Sequence, residues 1–398
     1  MTPEQLLIEA DRCVKCGLCL PHCPTYLLLE NEADSPRGRI SLIQALAGGE
    51  LQAERHLENH LERCLSCRAC EAACPSGVKY GRLIDGGRAM LNERHHGQPG
   101  WRRLFDLLSD RRRLARWGAL YPLLQRSGLA RLAALLPAQR LRRILAMARQ
   151  LPVRRTQLSG LHPARRPSGR SVQLFVGCVG SLADRPLIDC ALRLLTPLGY
   201  AVEIPDAQAC CGALHRHNGF PDTADRLCDS NRRQLEKSRA ESLVTLASAC
   251  QLELQEHLQS RLPVIGLVDF LLGLPAAALA GLRPLERRVA LHIPCSSQRD
   301  RSRELLERIP GIDLVDLPDN AICCGAAGSY LLTQPTLSLR LGNDKIERLR
   351  QTQAQILVTS NTGCALQFRQ LSEQAGLDVE VMHPAELIAR QLGIDNAA

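Results

Sequence analysis

Cys13, Cys16, Cys19 and Cys23 stand in the spacing C-x2-C-x2-C-x3-C, and Pro24 follows. The same run recurs at Cys64, Cys67, Cys70 and Cys74, ahead of Pro75. Thiolates at this spacing hold 4Fe-4S cubanes. Short loops let three of them wrap three irons, while the fourth, launched the other way by the proline, reaches the second cube. The spacing therefore predicts one cluster on Cys13, Cys16, Cys19 and Cys74, and another on Cys64, Cys67, Cys70 and Cys23. A zinc site accounts for one C-x2-C pair but not for two complete copies.

Eight more cysteines fall into an internal repeat. The first copy runs through "VQLFVGC" to Cys178, then Cys210, Cys211 and Gly212, then "LVTLASAC" to Cys250. The second runs through "VALHIPC" to Cys295, then Cys323, Cys324 and Gly325, then "ILVTSNTGC" to Cys364. Matching cysteines lie 117, 113 and 114 residues apart. The isolated cysteines are expected to end strands, and the carboxyl ends of parallel strands are where such sheets bind ligands. Two adjacent side chains cannot both face inward along a regular strand or helix, so packing does not explain the pairs. Gly212 and Gly325 would let the chain turn tightly around an inorganic group. All eight cysteines are thus candidate ligands of further metal centres, for which four thiolates suffice. Cys190 and Cys228, in predicted helices without repeat partners, read as core residues. His215 and His217 follow the first Cys-Cys-Gly. They read as surface histidines, the alternative being that they tune a nearby centre.

Helices must space the first two runs. "SPRGRISLIQALAGGE" has Ser35 as N-cap, Pro36 at the first helical position, an apolar stripe of Ile40, Leu42, Ile43 and Leu46, and Gly48 as a stop. "LQAERHLENHLERC" continues as a second helix. Two readings fit Arg37 and Arg39. Either they approach a cluster and stabilise its reduced state, or they sit at a solvated helix start. Residues 102–170 hold seventeen arginines, no lysine and only Asp106 and Asp110 as acids, a net +15 in a chain of +9. "WRRLFDLLSDRRRLARWGALYPLLQ" has helical apolar spacing with arginines opposite. It suits packing on its own protein, docking of an acidic partner, or contact with an anionic membrane surface. "ARRPSGR" (164–170) reads as a loop. Beyond it, apolar strands alternate with helical stretches such as 189–199 and 302–310, which argues for parallel sheets. The predicted fold is an α+β multidomain chain. It comprises an α-helical ferredoxin (1–100), a basic helical connector (101–170) and two repeated α/β cysteine-rich units (171–285 and 286–398).

Composition narrows the function. A hydrophobic share of 45% in 398 residues supports several packed domains. Aromatics at 3%, with basicity confined to one segment, argue against nucleic acid as a partner. No secretory leader is legible, and the best membrane candidate, residues 266–282, carries Asp269 and Pro275 and is too short. The expectation is a cytoplasmic chain, at most peripheral on the inner membrane face, in which metal ligation rather than a disulfide framework accounts for so many cysteines, 18 in all. No dinucleotide or phosphate-binding glycine motif is visible. Iron–sulfur clusters carry single electrons, so a flavin must oxidise any hydride-donating substrate elsewhere. No catalytic residue is assigned.

The Cys-Cys-Gly repeats resemble the cysteine-rich domain shared by the heterodisulfide reductase catalytic subunit and several hydroxy-acid oxidoreductases. With the N-terminal ferredoxin, and with "SPRGRI", "CCGAL", "CCGAAGSY" and "NTGC", the chain resembles the iron–sulfur subunits of glycolate oxidases. The resemblance implies flavoprotein-type partners that carry FAD and oxidise glycolate to glyoxylate, with electrons passed on to a quinone or other acceptor. Complexes oxidising D-lactate or glycerol 3-phosphate share these parts, and a non-enzymatic redox sensor or scaffold is the alternative from another class. One departure matters. The heterodisulfide reductase version closes each repeat with C-x-x-C, whereas here Cys250 is followed by "QLE" and Cys364 by "ALQ". That puts the unusual clusters of that enzyme, and disulfide reduction, in doubt.

Overall fold

The computed structural model describes residues 1–94, 99–114, 116, 150, 158–166, 168–297 and 299–394. Four helices, Pro3–Ala10, Pro36–Ala47, Arg55–Glu62 and Tyr80–Arg94, build the N-terminal module. Their inward faces bury Leu6, Ile43, Leu46, Leu61, Leu83 and Ile84 completely. Each such side chain is worth about 1.5–3 kcal/mol relative to exposure. Ser35 caps the second helix by accepting from Gly38 N at 2.9 Å, Pro36 occupies its first turn, and Gly48 ends it. The cysteine runs lie in the loops and short turns between these helices.

Beyond this module, the described residues form two sheets with their helices. The first has β1 (Gly160–His162), β2 (Arg170–Phe175), β3 (Tyr200–Ile204), β4 (Leu243–Thr245) and β5 (Val264–Gly266), in the order β1-β3-β2-β4-β5. Only β1 is antiparallel. The second has β6 (Arg288–His292), β7 (Asp313–Asp316), β8 (Ile356–Thr359) and β9 (Glu380–Met382), in the order β7-β6-β8-β9, all parallel. Without β1, the orders match strand for strand. β1 is a correction to the sequence reading, which leaves 160–162 in the connector.

The two units share one core. Helix Arg185–Leu195, which follows β2, packs on Pro384–Gln391, which follows β9. Helix Ser302–Leu306, which follows β6, packs on Leu267–Leu272, which follows β5. The units thus meet through two matching helix pairs, a pseudo-twofold arrangement, with Ile188, Leu271, Leu305 and Ile388 buried at the seam. The helices expected at 189–199 and 302–310 are these two; Pro186 starts the first early, and both end earlier than expected.

The connector begins with helix Pro99–Ser109. Phe105, 1% exposed, lies edge-on to His215 and Phe220 at 6.4 Å each. Arg111 is half-buried and donates to Pro205 O and Ser159 Oγ, both at 3.3 Å, so it packs on its own protein. Arg112, Arg113 and Arg116 are exposed. Residues 115, 117–149, 151–157 and 167 of the arginine-rich stretch lie outside the described residues. Among the described residues, no helix is long and apolar enough to cross a membrane.

Candidate metal centres

The cysteine loops of the N-terminal module repeat in backbone as well as in spacing. Lys15 and Gly17 flank Cys16 with left-handed φ angles of 56° and 84°; Ser66 and Arg68 flank Cys67 with 51° and 61°. Such angles are uncommon away from glycine. Here they curl the chain so that successive thiols face one hollow. The first hollow is lined by Cys13, Cys16, Cys19 and Cys74, with Cys70, Arg37, Ile40 and Tyr80. Cys16 is exposed there. The second is lined by Cys23, Cys64, Cys67 and Cys70, with Thr25, Arg39 and Tyr80. The two hollows share Cys70, Pro36 and Tyr80 and so abut. Soft sulfur donors converging on paired hollows suit iron–sulfur clusters.

The two arginines take different roles. Arg37 lines the first hollow, donates to Lys15 O at 3.2 Å and pairs with Glu32 at 2.6 Å. Arg39 is fully buried. It donates to His60 O at 2.7 Å and Thr25 Oγ1 at 3.0 Å, and pairs with Asp34 at 3.2 Å. The solvated-start reading is therefore wrong for Arg39. Burial works against its charge, but Cys64, Tyr80, Cys23 and Asp34 hold its pKa above the ordinary arginine value.

The repeat cysteines gather in fours. In the first unit, Cys178 Sγ lies 3.4 Å from Cys210 Sγ, and Cys211 hydrogen-bonds with Cys250. In the second, Cys295 Sγ lies 3.8 Å from Cys323 Sγ, and Cys324 Sγ 3.1 Å from Cys364 Sγ. Cys178 and Cys295 are pushed well above the usual thiol pKa by hydrogen bonds from the neighbouring sulfur and by burial. Four thiols this close and dry ionise only with a cation among them, and a thiol bound to a metal is deprotonated outright.

Not all of these cysteines end strands. Cys178 and Cys295 follow β2 and β6 by three residues. Cys250 and Cys364 instead sit third in helices Ser248–His257 and Thr362–Gln374, where the positive helix end favours thiolate. The glycines of the pairs are obligatory. A Cβ on Gly212 (φ +105°) would come within 3.0 Å of Ala224 O, and one on Gly325 (φ +82°) within 2.8 Å of Ser338 O.

Other side chains hold the loops. Gln208 donates to Leu174 O and accepts from Val176 N, at 3.0 and 2.9 Å. Asn320 does the same for Leu291 O and Ile293 N, at 2.9 and 3.1 Å. These amide clamps were not singled out from sequence, though both stand just before the Cys-Cys pair. Cys228 and Cys190 are buried, and Cys228 Sγ donates to Cys211 O at 3.1 Å. His292 carries no motif of its own. It lies beside Cys324 and Cys364, and comparing "VQLFVGC" with "VALHIPC" reveals it as a histidine where the first copy has Phe175.

The histidines read as surface residues are not free. His215 is fully buried and bonds Asp106 at 3.0 Å, while His217 bonds Asp85 at 3.1 Å. They anchor the connector and the N-terminal module, respectively, on the first unit. Arg88 adds a bond to His217 O at 2.7 Å, Asn92 one to Asn218 O at 2.7 Å, and Arg68 pairs with Glu256 at 2.7 Å. Tyr330 of the second unit donates to Arg63 O at 2.9 Å. Docked in this way, the module brings Cys67 into one packed cluster with Cys295, Cys323, Leu65 and Tyr330.

Comparison with known proteins agrees with this organisation. Residues 9–78 match the 4Fe-4S dicluster domain, and 172–255 and 289–369 each match the Cysteine-rich domain. The chain is 31% identical to the "Probable glycolate oxidase iron-sulfur subunit" of Bacillus subtilis (strain 168), over 97% of this chain and 94% of that one. It is 33% identical to the glycolate oxidase iron-sulfur subunit of Escherichia coli (strain K12), over 90% of each. It is 23% identical to a subunit of the dihydromethanophenazine:CoB--CoM heterodisulfide reductase of Methanosarcina barkeri (strain Fusaro / DSM 804), over 98% of this chain and 96% of that one. With a ferredoxin module, two cysteine-rich units and these relatives along its length, the chain belongs to the family of glycolate oxidase iron–sulfur subunits, electron-transfer proteins that carry 4Fe-4S clusters.

Proposed function

We propose that this chain serves a cytoplasmic, flavin-dependent complex that oxidises glycolate to glyoxylate, between a FAD-bearing partner and a quinone or other acceptor. The observation that carries the reading is the serial placement of the thiol sets. The first hollow abuts the second, and Cys67 of the second packs with Cys295 and Cys323. Cys13, Cys16, Cys19 and Cys74 would hold one 4Fe-4S cluster, and Cys23, Cys64, Cys67 and Cys70 the other. The two Cys-Cys-Gly quartets would hold further centres. Bound in these sites, iron–sulfur clusters supply one-electron redox chemistry, which leaves hydride removal to a flavin.

Three features of the chain support a direction for electron flow. Exposed Cys16 leaves the first set open to an approaching donor. Leu65, Tyr330, Leu337 and Leu341 exclude water around Cys67 and Cys323. Buried Arg39 places positive charge beside Cys23 and Cys64 and so favours added negative charge there.

The test is turnover and flavin reduction in the co-purified complex with glycolate against D-lactate, beside anaerobic iron and sulfide analysis. The reading expects preference for glycolate, and about eight irons in the N-terminal sets alone. Faster turnover with D-lactate would reassign the substrate, and zinc without iron would remove the cluster assignment.

A further inference from the structure

The two cysteine-rich units share strand order, Cys-Cys-Gly turns and amide clamps, yet their thiol quartets have unequal neighbours. At the end of β6 the second unit places His292, 2% exposed. A ring nitrogen of His292 and the sulfurs of Cys324 and Cys364 all lie within 4.8 Å of one another, the spacing of groups that can share one metal ion. The matching position at the end of β2 is Phe175, which offers no donor. His292 Nδ1 lies 2.9 Å from Thr359 Oγ1, the residue that ends β8. A metal-binding histidine is usually fixed by a hydrogen bond on one nitrogen, which leaves the other for the metal. The ring is also wedged edge-on against Phe368 at 4.8 Å. A second difference points the same way. Lys345 is buried within electrostatic reach of Cys323 and Cys324, and its helix counterpart in the first unit is the neutral Asn231, which bonds Cys210 O instead.

We infer that His292 is a ligand of the metal centre in the second cysteine-rich unit, which makes that centre a mixed histidine–thiolate site while the first unit's centre is bound by thiolates alone. The inference rests on the reading that the second quartet holds an iron centre. Buried Lys345 favours added negative charge at this centre and so raises its potential relative to that of the first unit. Of the two quartets, the one beside Cys67 is then also the better electron sink.

The experiment uses the full-length chain, reconstituted anaerobically and labelled with 15N-histidine, and reads nitrogen coupling to the paramagnetic centres by pulsed EPR. The expected result is one directly bound histidine nitrogen in the wild type. It should be lost in His292→Phe and in His292→Cys, with the latter keeping its iron. Phe175→Leu should leave the coupling unchanged. Thr359→Val, which removes the bond that orients the ring, should speed iron loss to a chelator from that centre by about tenfold or more. No histidine coupling in the wild type, or coupling that survives in both His292 variants, would overturn the inference. Cys324→Ser separates this from the underlying reading. If that variant keeps all its iron and every signal, the second quartet holds no iron centre, and both the reading and the inference fall.

Discussion

Individual residues decide whether the thiols can converge at all. The Cys-Cys-Gly turns place a left-handed residue against a helix backbone, and only glycine leaves that space clear. Gly325→Ala should cost about 1–3 kcal/mol and displace Cys323 and Cys324. Iron analysis should then show loss from the second unit with the N-terminal iron retained, and thermal unfolding should show the destabilisation. Arg39 is the second such residue. Removing one partner of a buried ion pair costs about 3–5 kcal/mol, and Asp34 keeps Arg63 at 3.2 Å. Arg39→Met should therefore fall near the lower end. It should also lower the midpoint potential of the cluster next to it, because a buried positive charge is gone. Arg39→Lys should recover most of the potential but not the stability, since lysine cannot reproduce the fork that reaches His60, Thr25 and Asp34 together. Redox titration and thermal unfolding of the two variants separate charge from scaffolding.

At the scale of elements, the helix starts and strand ends do most of the positioning. Asn361 caps helix Thr362–Gln374 by accepting from Gly363 N at 2.9 Å and Cys364 N at 3.3 Å. Asn361→Ala should cost about 1 kcal/mol and make Cys364 easier to alkylate in the metal-free protein, as thiol-labelling rates would show. Much of this level was legible in the sequence. The strands stand out as short apolar runs with turn residues on both sides, and the helix after Ser35-Pro36 is marked by its cap, its apolar stripe and the Gly48 stop. Other features were hidden for physical reasons. Cys250 and Cys364 follow apolar strands so closely that periodicity alone could not separate strand end from helix start. β1 has only three residues, and its pairing with β3 comes from tertiary contact. The clamps of Gln208 and Asn320, and His292, are polar residues whose meaning depends on what folds beside them. The connector divides in the same way. Arg111 is used internally, whereas Arg112 and Arg116 point outward. Reversing those two charges should weaken association with an acidic partner in pull-downs at low salt, with the difference vanishing at high salt as exposed charges are screened.

At the scale of the whole molecule, the function depends on how the N-terminal module sits on the repeats. Asp85 and His217 form one of the joints. Burial pushes the His217 pKa down, but the charge and hydrogen bond of Asp85 outweigh it and leave it above the ordinary 6.5. Burial pushes Asp85 up, and His217 more than offsets this, leaving it below 3.8. The histidine's contribution is therefore complete below about pH 6.5 and is lost as pH rises through its raised value. The carboxylate's contribution is present above its unfolded value and is lost as pH falls through its depressed one. Thermal stability should decline as pH rises above about 6.5, and the decline should flatten in Asp85→Asn. This docking brings the thiol sets into series, with Cys67 as the link to the second unit. The most direct measurement is rapid-freeze EPR of the glycolate-reduced complex, wild type against Cys67→Ser. Wild type should show reduction in the N-terminal sets first and in the second unit afterwards. The variant should keep reduction at the first set while the second-unit centre stays oxidised. Reduction of that centre at the wild-type rate in Cys67→Ser would contradict the serial arrangement.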